Sequence, residues 1–173
     1  MELWDLYDKD RNRLGKTMVR GEKIPEGTYR LVVHLCIFNS RGQMLIQQRQ
    51  TFKDGWPGMW DVTVGGSTVA GESSAQAMER ETLEEIGVKQ SFEHERPVLT
   101  VHFKDGFGDL YMINRDIELS ELKLQAEEVK DARWAILGEI LEMIDNGTFI
   151  PYTKSFIELA FFLKDRRDLH MKR

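Results

Sequence analysis

Three glutamates near the middle of the chain, Glu81, Glu84 and Glu85, have the residue type and spacing of a metal-binding group. Separations of three and four residues place their carboxylates on one face of a helix. Like charges at this spacing destabilise a helix, and the last turns of a helix favour cations over anions. Local structure therefore gives no reason for the arrangement, whereas oxygen ligands on a rigid helix suit Mg²⁺ or Mn²⁺.

Two features upstream of these glutamates strengthen the case for a site, since three glutamates alone are more typical of a solvated acidic face. Gly65-Gly66 ends a predicted strand just before the helix, and backbone without side chains can approach a ligand or offer a carbonyl oxygen. Glu72 lies in the loop that follows, where Arg80 can pair with it and fix the loop to the helix. Several converging carboxylates can hold two ions, which stabilise the attacking and leaving oxygens of a phosphoryl displacement.

The helix that must position these groups has clear boundary signals. Ser73 and Gln76 form a capping-box pattern at its start, and Gly87 suits the left-handed conformation at its end. The sequence therefore predicts a helix over residues 73–86. An apolar stripe for docking onto a sheet is formed by Ala75, Met78, Thr82, Leu83 and Ile86.

Strand patterns dominate the remaining sequence. Nearly continuous apolar residues over 30–38 predict a central strand buried on both faces, and the turn after it predicts a hairpin with a strand at 44–49. The predicted strands and three helices do not alternate regularly along the chain, which favours the α+β class with a sheet between helices. We expect one globular unit over residues 28–173, preceded by a β extension at 1–27. The other predicted elements are strands at 2–7, 17–20, 60–64, 97–103, 109–117 and within 129–137, and helices at 138–146 and 152–166.

Composition excludes several classes of function. The 173 residues are 41% hydrophobic and 31% charged, which is typical of one globular domain. A net charge of -5 disfavours nucleic-acid binding, and no apolar run approaches the ~18 residues that span a bilayer, so no membrane contact is expected. The single cysteine, Cys36, excludes an intrachain disulfide, and the N-terminus lacks a signal-peptide pattern. We therefore expect a cytoplasmic protein.

The acidic excess is concentrated at the candidate site. Residues 72–85 contain five glutamates and one arginine, so this segment carries -4 and the rest of the chain only -1. The protein is thus nearly neutral with one anionic helix, which is expected to recruit metal ions and, through them, phosphate groups.

The segment from Gly66 to Val88 resembles the Nudix box, G-x5-E-x7-R-E-U-x-E-E-x-G-U, in which U is a bulky aliphatic residue. The departure is Thr82 at the first aliphatic position, where a β-branched side chain predicts weaker packing but no loss of catalysis. The resemblance extends over about residues 28–165. The matching positions are Gly66, Glu72, Arg80, Glu81, Glu84, Glu85, Gly87 and Val88.

The resemblance implies a Nudix-type α/β/α sandwich with a mixed sheet. It also implies a Nudix hydrolase, a pyrophosphatase that cleaves a diphosphate linkage in a nucleoside diphosphate derivative or a similar organic pyrophosphate. The implied cofactor is Mg²⁺ or Mn²⁺, held by Glu81, Glu84, Glu85 and the carbonyl of Gly66.

The same resemblance implies catalytic roles. Glu81 is the candidate to orient or deprotonate the attacking water, assisted by Arg80 and Glu72. In some family members the base is a carboxylate from a later loop, and Glu127 or Glu128 occupies such a position. An exposed loop without a role in the site is the preferred interpretation of that pair.

Three residues outside the box are candidate substrate contacts. Arg49 ends the second central strand and can reach a substrate phosphate, although an exposed cation is the default interpretation. Trp56 and Trp60 flank a Pro-Gly turn, and one of them can stack on a base, with core packing as the alternative.

Two other functions and two arrangements of the N-terminus are also considered. Segments 37–39, 45–49 and 57–58 are similar to isopentenyl-diphosphate isomerase, but that enzyme needs a cysteine before the glycine pair and residues 60–64 contain none. A ligand sensor that kept the fold is disfavoured because a pure binder need not retain the metal glutamates. Residues 1–27 either pair across a homodimer or extend the sheet.

Overall fold

A computed structural model describes residues 2–165; Met1, residues 166–173 and thus the predicted end of the last helix lie outside the described part. No helix within the described part is long and apolar enough to cross a membrane. The described residues form nine strands and three α-helices. Their bounds are β1 Leu3–Tyr7, β2 Arg13–Val19, β3 Arg30–Phe38, β4 Met44–Arg49, β5 Trp60–Asp61, β6 Val64–Ser67, α1 Ser74–Ile86, β7 Leu99–Phe103, β8 Gly106–Asn114, β9 Val129–Ala135, α2 Leu137–Asp145 and α3 Lys154–Leu163.

A seven-stranded mixed sheet lies between the helices and confirms the predicted α+β class. Its main path is β5-β4-β3-β8-β7, with β6 added to β3 and β9 added to β4. β3 and β8 are parallel, and every other pair in this sheet is antiparallel. This topology makes β3 the central strand, as its apolar sequence predicts.

The two faces of β3 belong to two different cores. Leu35 and Ile37 pack with buried residues of α1, while Cys36 and Phe38 pack with buried residues of α2 and α3. All four side chains are fully buried. Burial raises the pKa of the Cys36 thiol, which makes this residue a core filler rather than a nucleophile.

The predicted hairpin of β3 and β4 opens directly after its turn. The two strands pair only at Phe38 and Met44, and β6 pairs with β3 from Val32 to Leu35. Thr63 occupies the fork, where its hydroxyl accepts from the Ile37 N–H at 2.8 Å and donates to the Leu45 carbonyl at 2.5 Å. The fork gives room for β6, which carries the glycine pair into the middle of the sheet.

The glycine pair lies inside a strand rather than at its end, which corrects the sequence-based prediction. Gly65 and Gly66 pair with His34 and Val33, and β6 continues to Ser67. The predicted strand at 60–64 is instead split into β5 and the start of β6. Consequently, the backbone of the glycine pair is held in register by β3.

The N-terminal extension forms its own two-stranded sheet of β1 and β2 and does not extend the main sheet. It docks through a bridge between Tyr7 and Tyr29 and through the Leu3 carbonyl, which accepts from the Ala70 N–H at 2.8 Å. The turn of the hairpin carries Arg11, whose guanidinium pairs with the fully buried Asp109 on β8. This hairpin is therefore fixed to the loop that leads into α1.

Candidate active site

Helix α1 begins and ends where the capping signals predict. The Ser73 hydroxyl accepts from the Gln76 N–H at 3.2 Å, and the Gln76 side chain accepts from the Ser73 N–H at 2.9 Å. Gly87 has a φ of 72° and donates its N–H to the Leu83 carbonyl at 3.0 Å. Leu83 itself is 47% exposed, so it is not part of the docking face, and Ala77 is buried there instead.

Thr82, the departure from the box, is fully buried on this helix. Its hydroxyl donates to the Met78 carbonyl one turn earlier, at 2.6 Å. The threonine therefore fills a core position with its polar atom satisfied by the helix backbone.

Arg80 links the loop before α1 to the carboxylates of the helix. Its guanidinium donates to both Glu72 oxygens, at 2.7 and 3.0 Å, as the predicted pairing requires. The same group reaches Glu81 at 2.9 Å and Glu84 at 3.1 Å. The Glu72 hydrogen bonds and the Glu81 charge raise the pKa of Arg80, so this cation is permanently charged and fixed.

Glu81 lies against Gly66, which β6 brings to the helix. A Cβ on residue 66 would fall 2.1 Å from the Cδ and Oε1 atoms of Glu81, so only glycine leaves room for this carboxylate. Burial raises the pKa of Glu81 to about 7, against the opposing effect of Arg80. The structure thus brings together the glycine and the glutamate that the sequence singles out.

Glu85 is the most buried carboxylate of the group, with 4% of its surface exposed. It accepts from the Gln47 side chain at 2.8 Å and from the Gly65 N–H at 3.4 Å. Burial and the nearby Glu81 charge raise the pKa of Glu85 to about 8. Among the described residues, Gln47 Oε1 is a buried side-chain oxygen without a hydrogen-bond partner, and it lies on the same amide that holds Glu85.

The donor set fits a hard divalent cation. Three carboxylates, a glycine carbonyl and the unpartnered Gln47 oxygen supply the oxygen ligands that Mg²⁺ and Mn²⁺ prefer. In residues 2–165, however, no three acidic, histidine or cysteine side chains are grouped closely enough to hold an ion as they stand. In this arrangement Glu81 and Glu84 are both paired with Arg80, at 2.9 and 3.1 Å.

These groups line a cavity of about 520 Å³. Four arginines and six carboxylates line it, and the N-terminal hairpin contributes Glu2 and Arg20. The lining residues are Glu2, Arg20, Arg30, Val32, His34, Arg49, Trp56, Asp61, Gly65, Gly66, Ser67, Arg80, Glu81, Glu84, Glu85, Phe103, Gln125, Glu128, Ile150 and Tyr152.

Three residues predicted outside the box also line this cavity. Arg49 donates to the Gly55 carbonyl at 2.8 Å and lies 3.8 Å from a carboxylate oxygen of Asp61. Trp56 is half exposed, with a left-handed φ of 52° that turns the chain at the rim. Glu128 lines the wall and pairs with Lys53.

Two predicted residues lie elsewhere. Trp60 is absent from the cavity wall; its ring contacts the guanidinium of Arg133 at 5.2 Å and packs against the core beneath α2 and α3. Glu127 is exposed and does not line the cavity either. The core-packing interpretation of Trp60 and the exposed-loop interpretation of Glu127 agree with these positions.

Sequence reasoning missed the residues that long-range contacts bring to the cavity. Glu2 and Arg20 come from the N-terminal hairpin, where they pair at 2.9 Å. Asp61 is buried and accepts from the Tyr152 hydroxyl at 2.9 Å, and burial raises its pKa. The sequence could have indicated a buried Asp61, because a charged residue inside an apolar strand pattern requires a partner.

A smaller apolar cavity of about 250 Å³ adjoins the first. The two share His34, Phe103 and Tyr152. The other walls of the smaller cavity are formed by Val101, Gly108, Leu110, Thr153 and Phe156.

The chain is similar to known proteins over most of its length. Residues 28–153 match the NUDIX domain. The chain is 45% identical over 170 residues to an uncharacterized Nudix hydrolase of Listeria monocytogenes, covering 98% of this chain and 99% of that protein. It is 31% identical over 133 residues to an isopentenyl-diphosphate Delta-isomerase of Escherichia coli, covering 72% and 73% of the two chains. A crystal structure from Deinococcus radiodurans shares the fold, with a TM-score of 0.72 and 24% identity over 92% of this chain and 97% of that chain.

Proposed function

The chain belongs to the Nudix family, and we propose that it hydrolyses a diphosphate linkage in a nucleoside diphosphate derivative or a similar organic pyrophosphate. The observation that carries this proposal is the packing of Glu81, Glu85 and Gly66 at the wall of a cavity that contains four arginines. Carboxylates that bind cations, next to arginines that bind phosphate, form the pair of surfaces that a metal-bound diphosphate needs.

Glu81, Glu84, Glu85 and the Gly66 carbonyl would hold Mg²⁺ or Mn²⁺. A bound divalent cation neutralises charge on the phosphate oxygens and acidifies water. Arg80 fixes the orientation of the glutamates through its hydrogen bonds to Glu81 and Glu84, while Glu72 holds Arg80 in place.

Glu81 is the proposed acceptor of the proton from the attacking water. Its side chain lines the cavity and is only 14% exposed, so its carboxylate can meet a water molecule bound inside the cavity. Glu128, the alternative base, also lines the cavity but is engaged by Lys53. The geometry therefore favours Glu81, which lies against Gly66 and is held by Arg80, itself fixed by Glu72.

The size and polarity of the two adjoining cavities support an organic substrate. The larger one, of about 520 Å³, is lined by charged groups that suit phosphates. The smaller one, of about 250 Å³, has apolar walls such as Leu110 and Phe156 that suit a flat or apolar group.

The isomerase is the weaker candidate. The described part of the cavity wall contains no cysteine, and Cys36 is fully buried with a raised thiol pKa. Residues 66–88 also retain the complete set of box glutamates that a hydrolase needs, although the chain is 31% identical over 133 residues to a protein named as an isomerase.

A substrate panel tests the proposal. The folded protein is incubated with Mg²⁺ or Mn²⁺ and with nucleoside diphosphate sugars, dinucleoside polyphosphates, NADH and nucleoside triphosphates, and phosphate-containing products are measured. We expect cleavage of at least one compound, dependent on the metal ion. Absence of any product would favour the ligand sensor, and double-bond isomerisation of isopentenyl diphosphate would favour the isomerase.

A further inference from the structure

Among the described residues, Arg30 is the arginine of the 520 Å³ cavity that has no carboxylate within 4.0 Å. Arg20 pairs with Glu2 at 2.9 Å, Arg80 with Glu72 at 2.7 Å, and Arg49 lies 3.8 Å from Asp61. In the part of the chain that the structure describes, Arg30 forms no ion pair within 4.0 Å. Burial lowers the pKa of Arg30, and the charge of Asp105, which forms no ion pair with it within 4.0 Å, only partly offsets this effect. A ligand that supplies negative charge would therefore stabilise this cation.

Two aromatic rings hold this guanidinium in place. Its central carbon lies 4.8 Å from the centroid of Trp4 and 5.7 Å from that of Phe103. Its Nη1 atom donates to the Ser67 hydroxyl at 3.0 Å. Aromatic contacts restrict the side chain without using its N–H groups, so most of the five donors of Arg30 stay available.

Ser67 places Arg30 beside the box residues. It directly follows Gly66 on β6, and its carbonyl accepts from Arg80 at 3.1 Å while its hydroxyl accepts from Arg30. The free donors of Arg30 therefore lie in the same cavity as the carboxylates. The serine that Arg30 contacts is the sequence neighbour of the proposed metal ligand Gly66.

We propose that Arg30 binds the diphosphate of the substrate, and that the N-terminal hairpin is thereby part of the substrate site. Trp4 of that hairpin orients the guanidinium, and the docking of β1 onto the loop before α1 fixes Trp4. A guanidinium presents its donors in a planar fork that matches phosphate oxygens. The inference rests on the proposed function for the reaction, but it concerns a binding step that can be measured without turnover.

A structural role for Arg30 is the competing explanation. Arg133 shows what such a role looks like, because its guanidinium contacts the Trp60 ring at 5.2 Å and does not line the cavity. If Arg30 only joins the hairpin to the domain, its replacement will lower stability and leave anion binding unchanged.

The test compares binding of inorganic pyrophosphate to the full chain in the presence of Mg²⁺, by titration calorimetry. We expect Arg30→Gln to weaken binding by about tenfold or more, since hydrogen bonds to charged groups contribute that much. Arg30→Lys, which keeps the charge but loses the fork, should lie between wild type and Arg30→Gln. The matched control Arg133→Gln removes a stacked arginine outside the cavity and should bind like wild type.

Arg30→Gln with wild-type affinity, or a wild-type protein that does not bind pyrophosphate, would overturn the inference. If Arg30→Gln does not fold, Trp4→Phe and Arg30→Lys test the inference instead. Both variants must then stay folded and bind pyrophosphate severalfold more weakly than wild type. Steady-state kinetics separate this inference from the proposed function. Pyrophosphate binding through Arg30 without hydrolysis of any substrate refutes the function alone, whereas hydrolysis with an unchanged KM in Arg30→Gln refutes the inference alone.

Discussion

Gly66 touches the carboxylate of Glu81 so closely that residue 66 cannot carry a side chain without moving it. A Cβ at this position would lie 2.1 Å from Glu81 Cδ and 2.6 Å from Glu81 Cγ. The atoms in the way belong to the end of a flexible side chain, so the fold can survive the substitution by displacing the carboxylate. Gly66 therefore determines where the proposed base lies rather than whether the protein folds.

Gly66→Ala is expected to lower kcat by tenfold or more while changing the free energy of unfolding by less than ~1 kcal/mol, because the clash falls on one movable carboxylate. Activity assays and urea denaturation measure the two effects. The matched control is Gly138→Ala, where a Cβ meets nothing within 4 Å and activity should be unchanged. Wild-type activity in Gly66→Ala would contradict the placement of Glu81 in the reaction.

Glu81→Gln is expected to reduce kcat by about 10²–10⁴-fold, since the amide cannot accept the proton of water. Its neutral side chain also relieves a buried charge, so unfolding by heat should occur at an equal or higher temperature. Glu79→Gln on the same helix should behave in the opposite way. Glu79 accepts from the Phe92 N–H at 2.6 Å and from the Ser91 hydroxyl at 2.9 Å, outside the cavity, so stability should fall and activity should remain. Equal activity loss in both variants would reject the assignment.

The metal-free protein should become less stable as pH rises. The pKa of Glu85 is raised to about 8 in the folded state, from an ordinary value near 4.5, so the folded state binds the proton more tightly than the unfolded state. The stabilisation is fully present below pH ~4.5 and is lost as pH rises through about 8. We expect Glu85 to contribute a loss on the order of 3 kcal/mol between pH 5.5 and about 8.5, with a smaller further loss from Glu81. Urea denaturation in EDTA measures it.

Glu85→Gln is the matched variant for this pH effect. The amide cannot ionise, so the part of the pH dependence that Glu85 contributes should disappear, and the smaller part from Glu81, whose pKa is raised to about 7, should remain. The variant should exceed wild type in stability at high pH without metal. Mg²⁺ should restore stability at high pH to wild type by binding the folded state, and should have a smaller effect on Glu85→Gln. Identical pH profiles of wild type and variant would show that Glu85 is not the titrating group.

Local signals account for what the sequence predicted well. The capping box at Ser73 and the glycine at position 87 depend on neighbours within one helical turn, so the helix over Ser74–Ile86 and its acidic face could be derived from spacing alone. The apolar character of β3 likewise follows from its own residues. The sheet between helices could be predicted because each strand and helix has a pattern in its own residues, and their order along the chain indicates the α+β class.

The parts that were missed depend on contacts between distant residues. Glu2 and Arg20 reach the cavity because the N-terminal hairpin docks through Arg11 and Asp109, which are 98 residues apart. The fork between β3 and β4 depends on the Thr63 hydroxyl, and no local pattern distinguishes a bridging threonine from a surface one. For Trp60, proximity to the Pro-Gly turn did not reveal which side of the strand faces the cavity.

The docking of the N-terminal hairpin supplies the last prediction. Arg11 Nη1 donates to Asp109 Oδ1 at 2.9 Å, and the same carboxylate accepts from the Thr100 hydroxyl at 2.7 Å and from the Ser74 hydroxyl at 2.5 Å. Arg11→Gln leaves this fully buried carboxylate without its cation. The cost should be about 2 kcal/mol in the free energy of unfolding, below the ~3–5 kcal/mol of a fully buried pair because the Arg11 side chain is 35% exposed.

A function of the hairpin in substrate binding requires that the same variant also raise KM severalfold with little change in kcat, because a loosened hairpin no longer holds Trp4 against Arg30. Lys9→Gln is the matched control in the same turn. Its ion pair with Asp10 is 78% and 65% exposed, so neither stability nor KM should change. If Arg11→Gln loses stability but keeps the wild-type KM, the hairpin is a structural clasp and takes no part in the substrate site.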